Sequence, residues 1–358
     1  MSKKLYSLLA LLVATAFVLA ACGPAPTPTA APEEPTAATE EPTAEPAEPV
    51  AFKACQVTDV GGIDDKSFNA TAWKGVEDAI AQLGIEGQYL ESQEQADYET
   101  NINAFLEQDC NLIITVGFLL GDATAAAANA NPDQQFGIID FAYDPAIPNV
   151  TGHVFATDQA AFLAGYVAAA NTQTGIVGTF GGLQIPPVTV FMDGFWYGVQ
   201  YYNEQNGTAV EVKGWDPATQ TGLFTGNFES TDDGATFGNN LMDEGADIIM
   251  PVAGPVGLGT AAAAKERGNV WIIGVDSDWT QTAPDYADII LTSVLKKMDA
   301  TVLQQITSML NGEDPGTLIV GTLESGGVGL AAVNSSAVQV SLDDVTAGII
   351  AGDIQTAP

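Results

Sequence analysis

One histidine, His153, serves the entire 358-residue chain, with only three cysteines and ten basic residues beside it. Each scarcity closes off chemistry. A single imidazole excludes the common zinc clusters and leaves a Ser or Cys nucleophile with only His153 as its base. His153 falls in a predicted strand, 150–156, where a packed or half-exposed side chain explains it better than catalysis. There is no Walker loop ending in Lys-Ser/Thr, no nucleophile elbow and no Cys-x-x-Cys. Ten Lys plus Arg against 45 Asp plus Glu leave a formal charge of −35. That surface repels phosphate backbones and anionic lipid heads alike, so nucleic acid is not an expected partner.

The remaining enzyme signatures also fail. The glycine-rich segment Gly254-Pro255-Val256-Gly257-Leu258-Gly259 follows a predicted strand and opens a helix, but its G-x-x-G-x-G spacing is wrong for a dinucleotide loop. The adjacent carboxylates Asp64-Asp65, Asp232-Asp233 and Asp343-Asp344 read as loop and helix-start residues, since Asp favours caps and turns. The chain is therefore read as a binding protein, not an enzyme, that needs neither metal nor cofactor.

What the chain does have begins with an export signal. Lys3 and Lys4 precede an apolar stretch from Leu8 to Ala21, which is short for a spanning helix and ends in small residues. Leu19-Ala20-Ala21-Cys22 resembles the bacterial lipobox, so residues 1–21 are expected to be cleaved and Cys22 to carry diacylglycerol on the extracytoplasmic face of the cell membrane. Residues 23–50 are built almost wholly from Pro, Thr, Ala and Glu. They cannot bury enough apolar surface to offset ordering, and serve as a 22–50 tether behind the lipidated Cys. From Ala51 onward about 300 residues remain, enough for two lobes with a core each. No later apolar run reaches membrane-spanning length.

The body repeats a short β-branched run, a loop and an amphipathic helix. Strands are predicted at 51–58, 88–91, 112–116, 136–141, 150–156, 175–180, 209–213, 248–252 and 270–275. The helix over 68–83 carries Ala72, Trp73, Val76, Ala79, Ile80 and Leu83 on one face. This alternation predicts parallel sheets covered on both sides, with ligand beyond the carboxyl ends of the strands. The first lobe is expected to span 51–171 and return over about 278–317; the second spans about 172–277 and 318–358. Cys55 and Cys110 flank strands that would be neighbours, open equally to a disulfide and to two buried thiols.

The most informative segment is Val57-Thr58-Asp59-Val60-Gly61-Gly62-Ile63-Asp64-Asp65-Lys66-Ser67-Phe68-Asn69, ahead of the helix containing Trp73. It resembles the opening signature of the basic membrane protein family of lipoproteins, which includes purine nucleoside receptors of ABC transporters. Ile138-Ile139-Asp140, Asp193-Gly194-Phe195, Gly226-Asn227-Phe228, Ala253-Gly254, Gly274-Val275-Asp276 and Leu291-Thr292-Ser293 with Lys296 extend the likeness from about Phe52 to Val333.

The resemblance implies a type I periplasmic-binding fold: two Rossmann-like lobes with parallel sheets, a hinge and a cleft between them. It also implies a monomer that delivers a nucleoside to an ABC permease and touches the membrane only through its lipid. Phe68 would stack on a planar base. Asn69 would meet its edge with a donor and an acceptor, and Asp59 and Asp140 would accept N–H groups. Asp276 would take two hydrogen bonds from the ribose diol. Lys296 would donate to a ribose oxygen, and Gly254 would let backbone approach the ligand. Phe228 is the preferred second ring, with Phe195 and Trp196 as alternatives. A sugar, a flavin or a signalling ligand, a sensory role, and a nucleoside-cleaving enzyme are the competing readings. Trp215, Trp279 and a Pro186-Pro187 turn are expected to shape the cleft.

Overall fold

The computed structural model describes residues 51–358. The expected signal segment 1–21, the expected lipidation site Cys22 and the expected tether to residue 50 lie outside the described residues. Strands run in chain order as β1 (Lys53–Val57), β2 (Glu86–Leu90), β3 (Leu112–Val116), β4 (Gln135–Ile139), β5 (Val150–Phe155), β6 (Ile176–Gly181), β7 (Glu211–Lys213), β8 (Trp215–Asp216), β9 (Thr221–Gly222), β10 (Ile248–Val252), β11 (Trp271–Asp276), β12 (Ile290–Lys296), β13 (Leu318–Gly321) and β14 (Val328–Leu330).

Two six-stranded sheets result, ordered β13-β5-β4-β3-β1-β2 and β14-β12-β11-β10-β6-β7, with β8 and β9 as a small ribbon. Counted along the chain, both sheets have the same order, so the two lobes repeat one plan. All pairs within the first sheet are parallel, and in the second only β14 runs antiparallel, against β12. The central strands are apolar and buried along their whole length, as parallel strands covered on both faces must be.

The lobes exchange chain at three places that differ from those expected. The first crossing follows β5. The helix Thr157–Asn171 packs on the helix Pro186–Asn206 of the second lobe, so 157–171 does not close the first lobe. Gly165, Gly194 and Gly198 allow this contact: a Cβ at each would come within 2.3 Å of a backbone oxygen on the facing helix. The return also comes later than 278, because β12 pairs with β11 in the second sheet, and only the helix Met298–Leu310 goes back to the first lobe. There it lies against the helix Phe68–Leu83, with Asp299 and Val302 filling the space above Gly75. β13 then pairs with β5 in the first sheet, so 318–321 is not part of the second lobe. The reason is local: β13 and β14 extend sheet edges, and edge pairing leaves little trace in a short apolar run.

Cys55 and Cys110 form a disulfide, with their Cα atoms 6.0 Å apart. His153 is fully buried on β5, and its Nε2 lies 2.8 Å from Gln305 Oε1. Burial pushes its pKa down to about 4, the state of a packed neutral imidazole. Among the described residues no helix is long and apolar enough to cross a membrane.

Candidate functional site

The first lobe supplies its side of the site from loops at the carboxyl ends of β1, β3 and β4. After β1 the chain turns through Gly61 and Gly62, both at positive φ, and enters the helix Phe68–Leu83. Asp65 organises that entry. Its Oδ1 accepts the backbone N–H groups of Ser67 and Ala70, and its Oδ2 accepts that of Asn69 at 2.7 Å. This carboxylate satisfies donors the helix start leaves unpaired. It is a cap, as the paired-Asp reading expected, and it also lines the cavity.

Asp59 follows β1 directly. Its Oδ1 accepts the Val60 N–H at 2.7 Å and the Tyr98 hydroxyl, while its backbone N–H donates to Asn69 Oδ1 at 3.0 Å. Asn69 Nδ2 donates in turn to the Val60 carbonyl at 3.3 Å. Asn69 thus pins the loop after β1 and keeps one Nδ2 hydrogen and one Oδ1 lone pair uncommitted. Burial raises the Asp59 pKa to about 6. Gly117 sits beside this carboxylate, and a Cβ there would lie 2.3 Å from Asp59 Oδ2, so the position excludes a side chain.

Asp140, just beyond β4, and Asp276, the last residue of β11, both have a φ of 66°. Left-handed backbone at non-glycine residues is uncommon, with Asp among the residues that tolerate it. Lys296 Nζ, at the end of β12, reaches across to Asp140 Oδ2 at 2.5 Å. The ammonium also sits 5.0, 5.5 and 5.6 Å from the ring centroids of Phe68, Phe155 and Phe191. Only 2% of the Lys296 side chain is exposed. Burial drives the pKa values of Asp140 and Asp276 upward, and the Lys296 charge pulls both back down.

Ser67 Oγ donates to Asp276 Oδ2 at 2.8 Å, and Ser277 Oγ donates to the Lys66 carbonyl at 3.0 Å. With Lys296–Asp140, these bonds join loops of the first sheet to strand ends of the second. Trp279 supports the second side from below: its Nε1 donates to the Val275 carbonyl at 3.0 Å and its ring packs against Gly274. It shapes the site by holding the end of β11, and it does not line the cavity.

All eight residues singled out in the sequence, Asp59, Phe68, Asn69, Asp140, Phe228, Gly254, Asp276 and Lys296, line one cavity between the lobes. Gly254 has φ 55°, and a Cβ added there would meet nothing within 4 Å. Phe228 packs against Gly182, where a Cβ would come within 2.2 Å of its ring. The alternative rings fall elsewhere: Phe195 is core, and Trp196 packs edge-on against Tyr197 away from the cavity. Trp215 is also core, donating to Asp193 Oδ1. Pro186 and Pro187 do not form a turn. They open the helix Pro186–Asn206, where the missing N–H costs nothing.

Sequence reasoning placed only the Pro186-Pro187 pair at the cleft; it missed Ile185, Val188 and Phe191, which complete an apolar wall with Pro187, and it missed Phe118 after β3. The only signal for that wall was a proline pair at a helix start facing a strand end. It also gave no role to Ser67 or Tyr98.

A family model described as ABC transporter substrate-binding protein PnrA-like (Bmp) matches residues 52–356. The chain is 31% identical over 302 residues to the ABC transporter nucleoside-binding protein BmpA of Lactococcus lactis subsp. cremoris, covering 79% of this chain and 82% of that protein. It is 29% identical over 286 residues to an uncharacterized lipoprotein of Pyrococcus furiosus, covering 77% of this chain and 69% of that one. A solved solute-binding protein of an ABC transporter system from Aeropyrum pernix K1 superposes with a TM-score of 0.72 at 27% identity, over 86% of this chain and 87% of that one. The two-lobed architecture is the type I periplasmic-binding fold.

Proposed function

This chain belongs to the Bmp family of ABC transporter substrate-binding proteins, and from that premise we propose that it captures a purine nucleoside between its lobes and delivers it to a permease. The observation that carries the reading is the convergence of two kinds of group on one cavity. Flat apolar surface comes from Phe68, Phe118 and Phe228, and carboxylates at three strand ends come from both lobes. A nucleoside matches both, offering a planar ring to the aromatics and a diol and N–H groups to the acceptors. Its neutral charge suits a site whose single ammonium is already paired.

Closure follows from the same contacts. Ligand docks on one lobe, and the second swings in until Ser67 meets Asp276 and Lys296 meets Asp140. Polar groups leave water only as they become paired. Nothing in this sequence of events transforms the ligand, and the sole imidazole is buried against Gln305 and does not line the cavity. Diacylglycerol on Cys22 would hold the protein at the extracytoplasmic membrane face, in keeping with relatives named as lipoproteins.

The test is native mass spectrometry of the full chain in detergent, followed by thermal shifts with nucleosides, sugars and flavins. A ligand at a hundred times its Kd adds about 2.7 kcal/mol of stability. Adenosine, guanosine or inosine should give that shift. Stabilisation by a sugar or flavin alone would overturn the reading.

A further inference from the structure

Tyr98 belongs to none of the strand-end loops, yet from the core side of the helix Asp97–Leu106 its hydroxyl reaches the site carboxylate Asp59. It is almost wholly buried, and its hydroxyl donates to Asp59 Oδ1, the oxygen that also accepts the Val60 N–H. Two donors therefore saturate one oxygen. Among the described residues no protein donor reaches the other, Oδ2, which sits beside Gly117 on the cavity wall. The neighbouring amide is held in place beside it: Asn69 Oδ1 takes the Asp59 N–H and its Nδ2 serves the Val60 carbonyl, which leaves one lone pair and one N–H of the amide and makes Asp59 Oδ2 the one charged acceptor at this edge.

We propose that Tyr98 is a positioning residue that holds Asp59 with one oxygen free as an acceptor. It thereby selects nucleosides whose base edge presents a ring N–H, the 6-oxopurines, over adenosine. The inference rests on the proposed nucleoside function. A ring N–H donates to a carboxylate oxygen directly, whereas the unprotonated N1 of adenine would set lone pair against lone pair and leave both groups unpaired. The preference is tied to charge on Asp59. Burial raises its pKa to about 6; the Tyr98 and Val60 bonds oppose that rise, and the charges of Asp140 and Glu229 add to it. Above that pH the carboxylate accepts; below it a protonated Asp59 can donate to adenine N1, and the discrimination narrows.

Isothermal titration of the full chain with inosine and adenosine from pH 5.5 to 8 tests this. The wild type should favour inosine by about tenfold or more at pH 8 and by less at pH 5.5. Tyr98→Phe keeps the ring and removes the bond. It should shrink the ratio at pH 8 and move its midpoint to higher pH, which a packing role alone would not do. Equal affinity for the two nucleosides at every pH in the wild type would overturn the selectivity even if the variant failed to fold. An unchanged ratio and midpoint in a folded Tyr98→Phe would remove the role of Tyr98. Binding of neither nucleoside would overturn the proposed function itself, and this inference with it.

Discussion

Asp140 and Asp276 are counterparts. Each stands at the carboxyl end of the strand that comes fourth in chain order in its own six-stranded sheet, each has a φ of 66°, and in each burial raises the pKa while the Lys296 charge opposes the rise. The two lobes thus present matching carboxylates to the cavity, and one ammonium serves both. Asp140 has the direct ion pair, while Asp276 takes its hydrogen bond from Ser67 of the opposite lobe.

That asymmetry makes Asp276 the more available acceptor for a diol. Asp276→Ala should weaken nucleoside binding by about 3 kcal/mol or more, roughly a hundredfold, because two charge-assisted hydrogen bonds disappear. Thermal shift with saturating inosine reads this directly, and an undiminished shift would reassign the diol.

Lys296→Met keeps the volume and the packing against Phe68, Phe155 and Phe191 but leaves Asp140 and Asp276 without their cation. Unpaired carboxylates are better hydrated than buried, so the unliganded protein should open. Small-angle scattering should give a larger radius of gyration for the variant than for the wild type. An identical radius would mean that the ion pair does not hold the lobes together.

Gly254→Ala tests backbone and cavity together. Left-handed backbone costs an alanine about 1–2 kcal/mol, which urea denaturation should register. Nothing within 4 Å obstructs the new methyl, which would take up space in the cavity. Affinity should fall by roughly tenfold, about 1.4 kcal/mol.

His153 supplies a pH test of stability. Its folded pKa of about 4 lies below the usual 6.5, so the unfolded chain binds the proton more readily. Stability from keeping it neutral is complete above pH 6.5 and is lost as pH falls from there toward 4. The full effect is on the order of 3 kcal/mol. His153→Gln should flatten that part of the stability curve, measured by denaturation across pH 4 to 7. An unchanged slope would mean that another group sets it.

The disulfide closes a separation of 55 residues. Constraint of the unfolded chain should make it worth about 4 kcal/mol, so replacing Cys55 and Cys110 by Ser should lower stability by that order while leaving ligand affinity unchanged.

Much of this was legible in the sequence because parallel strands are read from continuous apolar runs. The strands at 112–116 and 248–252 and the helix at 68–83 have the predicted bounds. Carboxylates just past such strands fall at the ligand-facing end of a doubly wound sheet, which is why Asp59, Asp140 and Asp276 converge. The shared strand order of the lobes was not legible, since Ile138-Ile139-Asp140 and Gly274-Val275-Asp276 agree only in the final carboxylate. Tyr98 was hidden for another reason: it approaches from a helix 39 residues beyond Asp59, and nothing in its own segment distinguishes it from a core aromatic. The crossing at 157 was missed because the Ala-rich helix after β5 is apolar on all sides and fits either lobe.

The most direct measurement is a crystal structure of the protein grown with inosine. The account predicts the base against Phe68 and Phe228, and the ribose hydroxyls on Asp276. Inosine bound outside the interlobe cavity, or inside it with no contact to Asp276, would contradict it.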